Sequence, residues 1–137
     1  MSETLYDKLV PSPTADTKPY WDGLMAGKLV LQRCADCGTI RHYPRPVCDH
    51  CFSMNAEWFE ASGRGTVHSW TETHYAFHPG YKGDLPYLLL TVDMAEGVRM
   101  QAQARGMKLA DVKVGMPVKV DYEKVKDDLT LAVFVAA

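Results

Sequence analysis

Two spacings of apolar residues divide the chain. Tyr20, Trp21, Leu24 and Met25 recur at three- and four-residue intervals and fall on one stripe of a short helix. Thr17 is suited to cap that helix, Pro19 to its first turn and Gly27 to its end. Packing of this aromatic stripe against the next module is the expected use, with a partner surface at Tyr20 and Trp21 beside it. From residue 66 onward the period is two. The runs 66–77 (long and bent), 87–94, 98–104, 117–124 and 129–135 read as strands. In the third, Val98, Met100, Ala102 and Ala104 face one way, with Arg99, Gln101 and Gln103 opposite. Val118, Val120, Leu131 and Val133 are the expected core of the last two, and 107–114 has room for one helical turn.

Five strands with a break after the third predict the five-stranded Greek-key barrel known as the OB-fold. The chain therefore reads as mainly β, in three segments. Residues 1–17, with Pro11, Ser12 and Pro13 and little to bury, form a flexible arm. Residues 18–62 carry the helix and a cysteine-rich ribbon, entered by a strand at 29–33. Residues 63–137 are the barrel.

The chemistry sits between helix and barrel. Cys34, Cys37, Cys48 and Cys51 follow a C-x2-C-x10-C-x2-C spacing, and the chain has no other cysteine. Each C-x2-C pair makes a knuckle that aims two thiolates at one point. Gly38 supplies the positive φ such a turn wants, and Pro44 and Pro46 stiffen the loop between the pairs. Zinc is the default ion for four thiolates, with iron in a rubredoxin-like site the competitor. Such a shell has no open position for water, so its role is structural. Asp36, Asp49 and His50, between the ligands, read as solvent-exposed knuckle side chains.

Composition narrows the setting. A formal net charge of -2 advertises no strong field for nucleic acid. The longest apolar runs are far too short for a bilayer, and the N-terminus MSETLYDKLV lacks the form of a secretory signal. A reducing, cytoplasmic address follows by default, and it favours thiolate ligation over disulfides.

Four stretches taken in order resemble a known family: PYWDGLMAGKLVLQRCADCG, PRPVCDHC, GRGTVHSWTETH and VGMPVKVDY. From about Lys18 to Val135 the chain resembles domain of unknown function 35, acyl-CoA-associated zinc-ribbon and OB-fold proteins found beside thiolase-like enzymes. The resemblance implies an accessory subunit in lipid, sterol side-chain or polyketide metabolism, one that binds acyl-CoA and supports a partner enzyme. It carries the metal ligands onto the four cysteines and carries over no catalytic residue.

Other residues invite alternatives. His68, Trp70, Glu72 and His74 alternate along one strand and are expected on one face, where a His–Glu–His set could hold a metal or do acid–base work in an independent enzyme; with no nucleophile or fourth partner beside them, an edge or solvent-facing strand with polar alternation is the expected reading. The loop 74–86 joins two barrel strands where OB-folds bind ligands. His74, Phe77, Tyr81, Lys82 and Arg99 are its candidate acyl-CoA contacts, with Arg64 and Arg105 as further cations. Phe77 and Tyr81 double as partner anchors. A single-stranded nucleic-acid binder is the reading from another class, since ribbons and OB-folds both serve it; the scattered Lys and Arg argue against it.

Overall fold

The computed structural model describes residues 6–137. Of the expected arm, residues 1–5 lie outside the described part. Val10, Pro11 and Pro13 border a cavity of about 130 Å³ together with Trp21 and Leu129.

One α-helix and eight strands follow. Helix α1 is Lys18–Met25, and β1 (Val30–Cys34), β2 (Ile40–Arg41) and β3 (Ala56–Glu60) form an antiparallel sheet in the order β2-β1-β3. Pro19 stands in the first turn of α1, as expected. Thr17 occupies the N-cap without capping, because its hydroxyl turns back to accept the Thr14 N–H at 2.9 Å. The helix ends in a Schellman arrangement: Lys28 N–H donates to Gly23 O and Gly27 N–H to Leu24 O, with Gly27 at φ +74°. Gly23 is a packing requirement, since a Cβ there would stand 2.6 Å from Val30 Cγ2. Tyr20 and Leu24 are buried, as is Leu31 beneath them on β1, while Met25 is exposed.

The barrel comprises β4 (Arg64–Thr73), β5 (Tyr87–Met94), β6 (Arg99–Gln103), β7 (Pro117–Lys126) and β8 (Leu129–Ala136), in the order β6-β5-β4-β7-β8. A parallel bridge between Ala104 and Phe134, with Arg105 N–H donating to Phe134 O at 2.9 Å, joins the two edges and closes it. Closure shortens the open edges that an unclosed sheet would expose. The order of elements is that of an OB-fold behind a ribbon, and 3-10 turns occur at Pro79–Asp84 and Leu109–Asp111.

Two expectations need correction. The first barrel strand stops at Thr73, the last residue paired with β5, and does not run to 77. The register of β8 also differs. Phe134 stands opposite Val120 and Ala132 opposite Tyr122, so these line the interior. Leu131 and Val133 occupy the other face of β8; Val133 is buried, but Leu131 is only half-buried and borders a cleft. The run LTLAVFVA is apolar at nearly every position, so alternation alone could not choose its inner face.

Phe134, 0% exposed on the closing strand, is the side chain the barrel tolerates losing least. Phe134→Ala should cost about 3–5 kcal/mol and Val120→Ala roughly 1–3 kcal/mol in denaturant unfolding, with Leu131→Ala costing less than either.

Candidate metal centre and barrel cleft

The two knuckles repeat one backbone pattern. In the first, Cys34 N–H donates to Thr39 O at 2.9 Å and Gly38 N–H to Cys34 O at 3.0 Å; in the second, Cys48 N–H donates to Ser53 O and Phe52 N–H to Cys48 O, both at 2.9 Å. Gly38 has φ +80°, and at the matching place Phe52 has φ +62° with its ring 78% exposed. The second knuckle thus carries left-handed strain on a phenylalanine that packs on little within this chain.

All four sulfurs lie within 4.8 Å of one another. Cys34 and Cys51 approach to 3.5 Å, and Cys37 and Cys48 to 3.6 Å. Metal–sulfur bonds of about 2.3 Å at the tetrahedral angle require sulfur–sulfur edges of about 3.8 Å, so the cluster fits a structural S4 ion. Its electrostatics agree. The Cys37 N–H holds the Cys34 thiol down to about 6, and contact with Thr39 lowers Cys37. Although the Ser53 N–H lowers Cys51, the crowd of neighbouring sulfurs, Cys34 first, pushes it up to about 12. A cation removes that last penalty by turning repulsion among thiolates into ligation.

Asp36 proves more than a solvated knuckle side chain. It accepts from the Ser53 hydroxyl and from Asn55 Nδ2, linking the first knuckle to the chain that leaves the second; these bonds hold its carboxyl below the usual range. A buried network sets the loop between the knuckles. Gln32 Oε1 accepts from Arg41 Nε at 2.6 Å and from Arg45 N–H at 2.9 Å. Arg45 O in turn accepts from Gln32 Nε2 and Arg41 Nη2. The prolines therefore stiffen a turn already tied to β1 and β2. Next to it, His42 packs against the Tyr20 ring at 5.2 Å, its Nδ1 buried without a hydrogen-bond partner. Burial pushes its pKa down to about 4.

On the other side of α1 a cleft of about 910 Å³ opens, walled by β6, the outer face of β8, the end of β7 and the 79–84 turn. Tyr81, Tyr20 and Trp21 reach it. Tyr20 is 6% exposed, held among Trp21, His42 and Tyr43, and Trp21 Nε1 donates to the Tyr43 hydroxyl at 2.8 Å. Packing within the chain thus takes up most of the aromatic stripe.

The remaining candidates scatter. Phe77 is 88% exposed, edge-to-face with Tyr75 at 4.7 Å, and does not line the cleft. Neither does exposed Lys82. Arg99 shares the face of Gln101 and Gln103 on β6 but stands at the far end of the strand, outside the cleft lining, paired with Asp93 at 2.7 Å. The expected one-face set of histidines is broken by a bulge between Val67 and Ser69. The bulge turns His68 outward to Asp93, 3.4 Å away, while Glu72 lines the cleft and meets His74 at 2.9 Å beyond the strand end. Arg105 reaches the cleft but is fully engaged, forked onto Glu123 and bound to Gln103 and Ala104 O. Two lysines missed in the sequence, Lys108 and Lys124, line it without an ion-pair partner among the described residues.

Two outcomes follow. Phe52→Gly relieves the left-handed strain, so the ribbon should stay as stable or gain up to about 1 kcal/mol in thermal melts, whereas Gly38→Ala should cost about 1–2 kcal/mol. His42 takes up its proton more readily unfolded, near 6.5, than folded, near 4. Its contribution is therefore complete above about 6.5 and lost as pH falls toward 4, by up to roughly 3 kcal/mol. His42→Phe should flatten that part of the stability–pH curve measured by denaturant unfolding.

Comparison with known proteins agrees with the geometry. Residues 21–55 match the family described as ChsH2, rubredoxin-like zinc ribbon domain, and residues 58–123 match ChsH2, C-terminal OB-fold domain. A probable enoyl-CoA hydratase alpha subunit of Thermomonospora curvata is 36% identical over 90% of this chain and 38% of its own length. The 3-oxo-4,17-pregnadiene-20-carboxyl-CoA hydratase alpha subunit of Mycobacterium tuberculosis is 40% identical over 82% of this chain and 35% of its own length. The chain thus spans little more than a third of these two relatives. A DUF35 domain-containing scaffold protein of Methanocaldococcus jannaschii is 30% identical over 73% of this chain and 71% of its own length. Among solved structures, a chain of an Ltp2-ChsH2(DUF35) aldolase matches with a TM-score of 0.83 and 35% identity, over 93% of this chain and 98% of that one. A DUF35-family protein from Sulfolobus solfataricus, at 21% identity and a TM-score of 0.61, shares the fold. With a four-cysteine ribbon leading into a closed five-stranded barrel, and relatives that match both parts, the chain belongs to the DUF35 family.

Proposed function

We propose that this chain is a non-catalytic accessory subunit that binds acyl-CoA and supports a thiolase-like or related acyl-CoA enzyme in lipid, sterol side-chain or polyketide metabolism. The observation that carries this reading is the match over nearly the full length of the DUF35 chain in an aldolase assembly. Two relatives named as alpha subunits of CoA hydratases point the same way. The chemistry supports a supporting role. A shell of four thiolates leaves no position for an activated water, and the nearest approach to an acid–base pair, Glu72 with His74, has no nucleophile beside it. The ion is zinc, and the compartment is the cytoplasm, where the four thiols stay reduced. Among the described residues no helix is long and apolar enough to cross a membrane.

The cleft takes the ligand. A CoA thioester asks for cations at its phosphates and an apolar slot for its pantetheine and acyl parts. Lys108 and Lys124 supply the first; Tyr81, Tyr87 and the outer face of β8 supply the second. The partner enzyme covers the exposed Tyr75–Phe77 pair and the accessible edge of Trp21, with Lys82 at the margin of that surface.

Purified chain should carry about one zinc by elemental analysis, and Cys48→Ser should lose both the metal and the ribbon, since structural zinc contributes on the order of 10 kcal/mol. The isolated chain should turn over no acyl-CoA and should co-purify with a thiolase-fold enzyme. Calorimetry with acetyl-CoA should show weakening of about 1–2 kcal/mol for Lys108→Ala or Lys124→Ala. Steady turnover by the isolated chain that vanishes with His74→Ala would overturn the accessory role.

A further inference from the structure

The mouth of the cleft is crossed by the chain's own N-terminal segment. Tyr6 and Lys8 are part of the lining. Lys8 Nζ lies 3.1 Å from Asp84 Oδ2 on the 79–84 turn and sits over the Tyr81 ring at 5.8 Å, its side chain only 22% exposed. Lys8 Nζ also sits 5.7 Å from the centre of the Tyr6 ring, and burial raises the Tyr6 phenol above its ordinary value.

Gly80 records the closeness of this contact. Its φ is not in the left-handed region, so the backbone conformation does not demand a glycine there. What demands it is space: a Cβ at Gly80 would stand 2.2 Å from Asp7 O and 2.7 Å from Asp7 C. Gly83, on the same turn, has nothing within 4 Å of its own Cβ position. The segment that follows is anchored lightly. Leu9 and Val10 are exposed, and firm hydrogen bonding resumes only at Thr14, whose N–H donates to Thr17 Oγ1 and whose carbonyl accepts from Lys18 N–H.

From this contact we propose that residues 6–8 form an intramolecular strap, latched on Gly80 and Asp84, that closes the cleft and must lift for a ligand to enter. One partly exposed ion pair, one cation over a ring and a single backbone contact make a weak latch, so the strap opens reversibly and a modest fraction of molecules is open at any moment. Apparent affinity is then the intrinsic affinity reduced by that open fraction. The strap is the regulation of the site assigned above, and its effect on CoA rests on that assignment.

The test uses the full chain with Gly80→Ala, and Gly83→Ala as the control on the same turn; Lys8→Gln removes the latch without steric change. Backbone 15N relaxation of residues 6–9, read without ligand, should show greater mobility in Gly80→Ala and Lys8→Gln and parental values in Gly83→Ala. Calorimetry with acetyl-CoA should show binding about 3- to 10-fold tighter in Gly80→Ala and unchanged in Gly83→Ala. Parental relaxation in both latch variants overturns the strap. So does acetyl-CoA binding that Gly80→Ala fails to tighten. If mobility rises as expected but acetyl-CoA binds to none of the forms, the strap stands and the acyl-CoA reading falls.

Discussion

Four sulfurs gathered within 4.8 Å are a burden unless a cation sits among them. Backbone donors ease the first thiolates, while the crowding of sulfurs works against ionising the last, and a positive ion at the centre offsets that cost. The small sheet β2-β1-β3 has little core of its own, so the fold of residues 30–60 rests on that ion. The dependence reaches further. Leu29 and Leu31, beside β1 and within it, join the buried cluster that includes Leu24 of α1 and Phe134 of β8. Ribbon, helix and barrel thus share one core, and the metal centre stands at its edge.

Within that arrangement the helix acts as a mortar layer. Tyr20 meets His42 and Tyr43 from the ribbon, and the Met25 sulfur accepts the Thr130 hydroxyl from the barrel at 3.3 Å. Ordering the knuckle loop through Gln32 and Arg41 therefore also orders the aromatic platform beneath the helix, and with it one end of the cleft. The ligand site proposed for the barrel and the ion site of the ribbon are separate in chemistry and are linked through Tyr20, which lines the cleft and packs on His42 and Tyr43.

How much of this was legible depended on range. The metal ligands could be read because their chemistry is local: two residues between paired cysteines set the knuckle, and Gly38 announced its turn. The strands could be read where one face is polar, as with Val98 to Ala104. His68 was misplaced because a bulge is a property of the pairing with β5 and leaves no mark in a count of two. Leu131 was misplaced because β8 is apolar on both faces. Asp36 looked idle because its partners Ser53 and Asn55 come from beyond the second knuckle. Lys108 and Lys124 were passed over because they sit at strand and turn ends that only the closed barrel brings together. Phe52 carried no signal, since a phenylalanine in left-handed backbone contradicts propensity. The equivalence with Gly38 was available from spacing alone.

Strand β8 presents Phe134 to the barrel core and Leu131 and Val133 to the cleft, so one strand serves both as structural wall and as wall of the proposed ligand site. A change on its outer face is also felt by the packing that closes the barrel, so descendants of this chain have little freedom there to explore new ligands. The opposite wall is different: Gln101 and Gln103 on β6 point away from the core and can be exchanged at small cost. Drift in what the proposed site accepts should accumulate on β6 and the surrounding turns, with β8 as the fixed template.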